Sequence, residues 1–122
     1  MASMSVTVSL QNCMELIISA KKNKANVNKY MFILKQVMKA LNGLDYSFIR
    51  HGEFYHDLKE TINKIRCQIN ILINRTKLSQ IVMAKKDGMT YDQIQQQIDD
   101  ICGRIVLASA QRQLARRKNS VN

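Results

Sequence analysis

The sequence predicts an all-α fold: an antiparallel helical bundle built round one long, heptad-patterned central helix and paired as a dimer. Three observations carry that expectation. The 122 residues contain no proline and only four glycines, so the strongest helix breaker, worth about 3 kcal/mol in a helix interior, is missing. Hydrophobic residues make up 46% of the chain, and they recur at steps of three and four. Through the middle of the chain those steps settle into a heptad.

The first helix is expected from Val8 to Lys22, with Leu10, Cys13, Met14, Ile17 and Ile18 on its apolar stripe. Lys21, Lys22 and Lys24 collect towards its C-terminal end, where cations oppose the negative end of the dipole. Asn26 resembles an N-cap for a second helix over Val27–Leu41. Val27, Met31, Leu34, Met38 and Leu41 form its stripe, which Tyr30, Ile33 and Val37 widen, and Asn42-Gly43 is the stop.

The third helix is expected over Asp45–Lys85. Phe48, Tyr55, Ile62, Ile69, Thr76 and Met83 repeat every seven residues, and His51, Leu58, Ile65, Leu72 and Ser79 interleave with them. A continuous helix of that length would be about 60 Å long at 1.5 Å per residue. Shorter helices of the same chain could not cover it, which predicts self-association. Cys67, Ile71 and Leu78 lie outside the seam and mark the expected oligomer interface.

Thr90-Tyr91-Asp92-Gln93 then has the form of a capping box, flanked by Met89 and Ile94 as a hydrophobic staple. It predicts a fourth helix carrying Ile94, Ile98, Ile101, Ile105 and Ala108 and ending in Arg112, Arg116, Arg117 and Lys118. The implied organisation is one domain over 8–111, preceded by a disordered start or expression scar (1–7) and followed by a basic tail (112–122).

Catalysis fails on supply. Glu53-x-x-His56 has the spacing of a di-iron ligand pair, but such a site needs two pairs and two further glutamates. The chain offers three glutamates and two histidines in all, and His51 and His56 are five apart. Glu53, Asp57 and Glu60 share a flank, and Glu60 with Lys64 reads as an ordinary surface ion pair. No Gly-rich phosphate loop occurs. No enzyme activity, metal or cofactor is expected. Cys13, Cys67 and Cys102 are an odd number with no Cys-x-x-Cys pair, which points away from a disulfide framework and towards a reducing, cytoplasmic or otherwise intracellular compartment. No signal peptide or membrane span is visible.

Charge points to a binding role. Lys and Arg outnumber Asp and Glu by 19 to 9, a net +10, which attracts polyanions. On the expected third helix, Lys59, Asn63, Arg66, Asn70, Asn74 and Lys77 share a sector of roughly 80° that holds no acid. Such a lane, with Arg112, Arg116, Arg117 and Lys118 of the tail, suits the phosphate and sugar groups of duplex RNA or DNA, read by backbone and not by base. The competing readings are an ordinary solvated helix face and a helical adaptor or structural subunit that binds another protein. Gly88-Met89-Thr90-Tyr91-Asp92-Gln93-Ile94 also resembles the start of a helix-turn-helix unit. The lysines surround the bundle instead of flanking one apolar stripe, which disfavours a membrane-surface role.

Ile73-Asn74-Arg75-Thr76 followed by Asp87-Gly88-Met89-Thr90 resembles the septicolysin-like helical family, over a layout of about Met14 to Leu114. In that family an Asn-x-Thr closes one helix and an Asp-Gly-x-Thr opens the next. The resemblance implies a helical layout, with the third helix stopping near Thr76, and no particular ligand.

Overall fold

The computed structural model describes residues 5–121, with side chains described through Lys118. Among them are five helices: α1 (Val6–Ser19), α2 (Lys24–Leu41), α3 (Tyr46–His51), α4 (Tyr55–Ile73) and α5 (Lys77–Val121). Residues 1–4 of the expected disordered start lie outside the described residues. Ser5 is the N-cap of α1, its Oγ accepting from the Val8 amide at 3.2 Å.

The burial pattern follows the apolar stripes. Val6, Leu10, Cys13 and Ile17 of α1 are buried, while Ile18, expected on the stripe, is exposed. In α2 the buried face is Val27, Tyr30, Ile33, Leu34, Val37 and Leu41. It is centred on the residues expected only to widen the stripe, and Met38 faces solvent. Leu58, Ile62, Ile65, Ile69 and Leu72 of α4 and Ile94, Ile98, Ile101 and Ile105 of α5 complete the core. Helices α2 and α4 pack against each other, α1 lies on one side of that pair and α5 on the other. Contacts Asp57–Arg104 and Gln68–Asp87 run in opposite senses along α4 and α5, so these two form an antiparallel hairpin.

The expected continuous helix over 45–85 is not formed. It is cut twice, and each cut has a cause. At the first, Phe54, which lies off the heptad seam, is fully buried, whereas the seam residue His51 is exposed and Tyr55 is only partly covered. The chain stops at Gly52 and restarts at Tyr55 to bring Phe54 inward. Glycine is required there by close approach: a Cβ on Gly52 would sit 2.4 Å from the Phe54 ring. Asp45 caps α3, accepting from the Phe48 amide at 2.8 Å.

The second cut is at Asn74–Thr76, and it is closed from another helix. Asn23 takes the left-handed conformation, φ 57°, and its amide donates to the carbonyls of Leu72 (2.8 Å), Ile73 (3.3 Å) and Arg75 (2.9 Å). These are the orphan carbonyls at the C-terminal end of α4. Gln80 donates to Asn23 Oδ1 from the first turn of α5. Thr76 then starts α5, its Oγ1 accepting from the Ser79 amide at 3.1 Å. Asn26, expected as the N-cap of α2, is inside that helix, which begins at Lys24 with Asn23 at the N-cap position.

The expected start of a helix at Thr90 is also corrected. Residues 77–121 form one helix of 45 residues, about 67 Å long at 1.5 Å per residue. Thr90 Oγ1 donates back to the Lys86 carbonyl at 3.0 Å instead of capping anything. One helical glycine costs only about 1 kcal/mol relative to alanine, and contacts on both sides of Gly88 favour the continuous helix. Asp87 is buried against Arg75 at 2.9 Å. Tyr91 packs edge-on against Tyr30, ring centroids 5.1 Å apart, and its hydroxyl donates to the Lys29 carbonyl. The turn needed by a helix-turn-helix unit is therefore absent from residues 77–121, and 112–121 continue α5.

Candidate interaction surfaces

Two surfaces remain once the core is accounted for. The first is the lane on α4. Lys59, Asn63, Arg66 and Asn70 stay together on its outward side, over about 17 Å of helix. Lys59 is partly covered and the other three are exposed. The lane borders α1 through two grooves. One, of about 510 Å³, is lined by Ser9, Cys13, His56, Lys59, Asn63 and Arg66 among others. The other, of about 610 Å³, is lined by Asn12, Glu15, Leu16, Ser19, Arg66 and Asn70. Proximity of α1 was not legible in the sequence, because no local spacing says which helix packs beside which.

The rest of the predicted lane is dispersed. Asn74 caps the end of α4 and its amide donates to the Asn70 carbonyl at 2.8 Å. Lys77 opens α5, beyond the turn. Arg112 is held by Asp45 at 2.9 Å and lies over the Phe48 ring at 4.9 Å. That contact and the bond from the Phe48 amide hold the Asp45 carboxyl below its ordinary range, the amide contributing most. Arg116, Arg117 and Lys118 are exposed at the far end of α5. The expected six-residue lane is therefore cut to four, because the break at 74–76 sends the chain back antiparallel.

The carboxylates show a surface arrangement. His56, Asp57 and Glu60 place their ligand atoms within 4.8 Å of one another, the one such group among the described residues. His56 and Glu60 are 3.6 Å apart and largely solvent-facing, and Asp57 is held by Arg104 at 3.0 Å. Glu53 of the considered Glu53-x-x-His56 pair is exposed.

Cys13 and Cys102 are buried and Cys67 is exposed. Burial pushes the Cys13 thiol up to about 11 from an ordinary 9.0, with Arg66 partly offsetting it. Burial raises Cys102 and the Tyr30 hydroxyl in the same sense. Above pH 9 the unfolded chain releases the Cys13 proton while the folded chain keeps it. Stability is therefore intact below about pH 9 and falls towards pH 11, by up to about 1.4 kcal/mol per pH unit for this group. Denaturant titrations at pH 8 and pH 10.5 should show a smaller loss in Cys13→Ala than in the native chain. An equal loss in both would mean that the Cys13 thiol ionises normally in the fold.

The second surface is the side of α5 turned away from α2 and α4. Leu78, Ile81 and Val82 near its start are 71%, 76% and 70% exposed. Met89, Val106, Leu107 and Leu114 are 56–61% exposed. Of the residues expected at an oligomer interface, Leu78 belongs to this surface. Cys67 and Ile71 are exposed on α4, before the turn that separates them from Leu78. No described helix is long and apolar enough to cross a membrane.

The chain matches no protein-family model, no curated protein and no solved structure, so the two surfaces are read from their own residues.

Proposed function

We propose that this protein is a non-catalytic helical interaction module, an adaptor or structural subunit that binds protein through the outward face of α5. The observation that carries the reading is the seven large apolar side chains left 56–76% exposed on one helix. Single exposed leucines are ordinary, but a run of them along one element is the mark of an interaction surface. Other exposed apolar side chains, among them Ile18, Phe32 and Ile71, are spread over three other helices, and the core is closed by the chain's own four long helices, so the α5 face has no structural task inside the chain. Leu78, Val82 and Leu114 changed together to Asp should leave helicity and unfolding unchanged, because all three side chains face solvent. Affinity capture from the source cells should then lose, in that variant alone, the proteins retained at near-stoichiometric amounts by the native chain. Identical capture by both chains would refute the reading.

The α1–α4 lane favours a second reading, binding of nucleic-acid phosphates without regard to sequence. Lys59 and Arg66 with Asn63, Asn70 and Ser9 offer cations and amide or hydroxyl groups along the two grooves, each of which also has one glutamate, Glu60 or Glu15, at its wall. Two cations predict a shallow salt dependence, a slope of about −2 in log K against log salt on a duplex. Gel shifts with duplex RNA and duplex DNA at several salt concentrations test it. Lys59→Glu with Arg66→Glu should abolish any shift, and an unchanged shift removes the lane from consideration.

A further inference from the structure

Two stretches of the chain carry cations and no acid. Residues 16–44 hold six lysines, and residues 61–86 hold four lysines and two arginines. The fold joins the two at one end of the bundle. Asn23, between α1 and α2, bonds the carbonyls of Leu72, Ile73 and Arg75, and Gln80 of α5 bonds back to Asn23. Lys21, Lys22 and Lys24 thereby share that end with Lys77, Lys85 and Lys86. All six are exposed, and none is in an ion pair among the described residues. Asp87, the next residue after this run, is buried and held by Arg75. At the other end the cations are matched, Arg104 by Asp57 and Asp100, and Arg112 by Asp45. Lysines that the sequence spreads round the bundle are gathered by tertiary contacts.

The same end carries a compact apolar cluster. Leu78, Ile81 and Val82, each at least 70% exposed, follow at i, i+3 and i+4 and cover a sector of about 100° on α5. Lys77 stands about 40° beyond Ile81, Lys86 about 40° beyond Val82, and Lys85 lies within the sector one turn further on. Three cations thus frame three aliphatic side chains. Past Lys86, α5 has no lysine before Lys118. Exposed acid returns at Asp92, about 15 Å along the axis from Val82. The framed patch is confined to the first turns of the helix.

The chemistry of the patch selects among anionic partners. A nucleic acid offers phosphates but no apolar layer, and no aromatic side chain of the patch can stack on a base. Protein interfaces are enriched in arginine and aromatic residues and depleted in lysine, whereas lysine is the one cation that frames this patch. An anionic bilayer supplies both layers, charged headgroups outside and an apolar region beneath that receives aliphatic side chains. Lysine suits it, because the stem lies along apolar surface while the ammonium stays among the headgroups.

We infer that the end of the bundle at the α4–α5 turn docks on an anionic phospholipid bilayer, with Leu78, Ile81 and Val82 entering the interface and Lys77, Lys85 and Lys86 on the headgroups. The docking is peripheral, since no described helix is long and apolar enough to cross. It goes beyond the protein-binding reading and leaves the lysine-free remainder of the α5 face, from Met89 to Leu114, to a protein partner.

Flotation of the full-length protein with vesicles tests the inference. The native chain should float with phosphatidylcholine vesicles that contain about 30% phosphatidylserine and not with phosphatidylcholine alone, and added salt should release it. Each lysine near such a surface contributes about fivefold to partitioning. Lys77→Glu with Lys85→Glu and Lys86→Glu should therefore weaken binding by at least about 100-fold. Lys35→Glu with Lys39→Glu and Lys64→Glu makes the same change of charge elsewhere and should cost less than about tenfold. Insertion has its own readout. The chain has no tryptophan, so Ile81→Trp is a single reporter whose emission should shift to the blue on the anionic vesicles. A native chain that stays off those vesicles, equal losses in the two triple variants, or unshifted emission from bound Ile81→Trp overturns the inference. A chain that stays off the vesicles yet retains proteins the triple Asp variant loses overturns this inference alone. One that binds vesicles but retains no protein overturns the protein-binding reading alone.

Discussion

Replacing Asn23 with alanine is expected to destabilise the fold by about 2–4 kcal/mol and lower its melting temperature by roughly 10 °C. Asn23 sits between α1 and α2, yet its amide satisfies the carbonyls of Leu72, Ile73 and Arg75 in another part of the chain. Removing the donor strands partly buried acceptors, which costs about 1–3 kcal/mol for a buried polar group. An alanine must also adopt φ 57°, which costs about 1 kcal/mol more than for asparagine or glycine. Two further variants separate these causes. Asn23→Gly should recover only the conformational part. Asn23→Asp tolerates the backbone but presents an acceptor to three carbonyls, and should be at least as damaging as alanine. Native-like unfolding of Asn23→Asp by calorimetry would show that the amide is not what closes α4.

The second large effect is expected at Asp87. It is buried inside α5, paired with Arg75 at 2.9 Å and reached by Gln68 at 3.5 Å. Arg75 also donates to Ser79, at 3.4 Å, so the turn between α4 and α5 is organised round this ion pair. Asp87→Ala leaves a largely covered guanidinium without its carboxylate, and breaking such a pair from one side costs about 3–5 kcal/mol. Desolvation makes the intact pair worth far less than that. The double variant Arg75→Met with Asp87→Leu should therefore recover most of the loss, and Asp87→Asn should fall between. If the double variant is as unstable as Asp87→Ala, the turn depends on the charges themselves and not on the cost of an unpaired one.

How much of this was legible in the sequence varies by element. The helical class and most of the core were, because Leu58, Ile62, Ile65, Ile69 and Leu72 bury the face that their spacing marks. The same spacing misled once it was extended past Leu72. Thr76, Ser79 and Met83 continue the heptad as letters, but the chain turns at 74–76 and only a remote side chain, Asn23, reveals why. The opposite error occurred at Thr90–Gln93, where a well-formed capping box lies unused in the middle of α5. Local signals at Gly88 are worth about 1 kcal/mol, and the Arg75–Asp87 and Tyr30–Tyr91 contacts outweigh them.

The candidate surfaces divide in the same way. Lys59, Asn63, Arg66 and Asn70 were found because they share one helix. Asn74, Lys77 and Arg112 were misplaced because a turn and the pairing with Asp45 reassign them. The outward face of α5 went unnoticed, since its exposed apolar residues from Leu78 to Leu114 fall on one element only when residues 77–121 are taken as one helix.

By itself, the sequence determined that this protein is helical, basic and furnished with apolar stripes enough for one core, since those properties depend on residue type and on spacing within a turn or two. Tertiary structure decided where helices end and which faces are left over. Helix ends and buried charges are settled by partners distant in the chain, whose contributions of a few kcal/mol exceed any local propensity, and a face is outward only by reference to the neighbours that cover the other side.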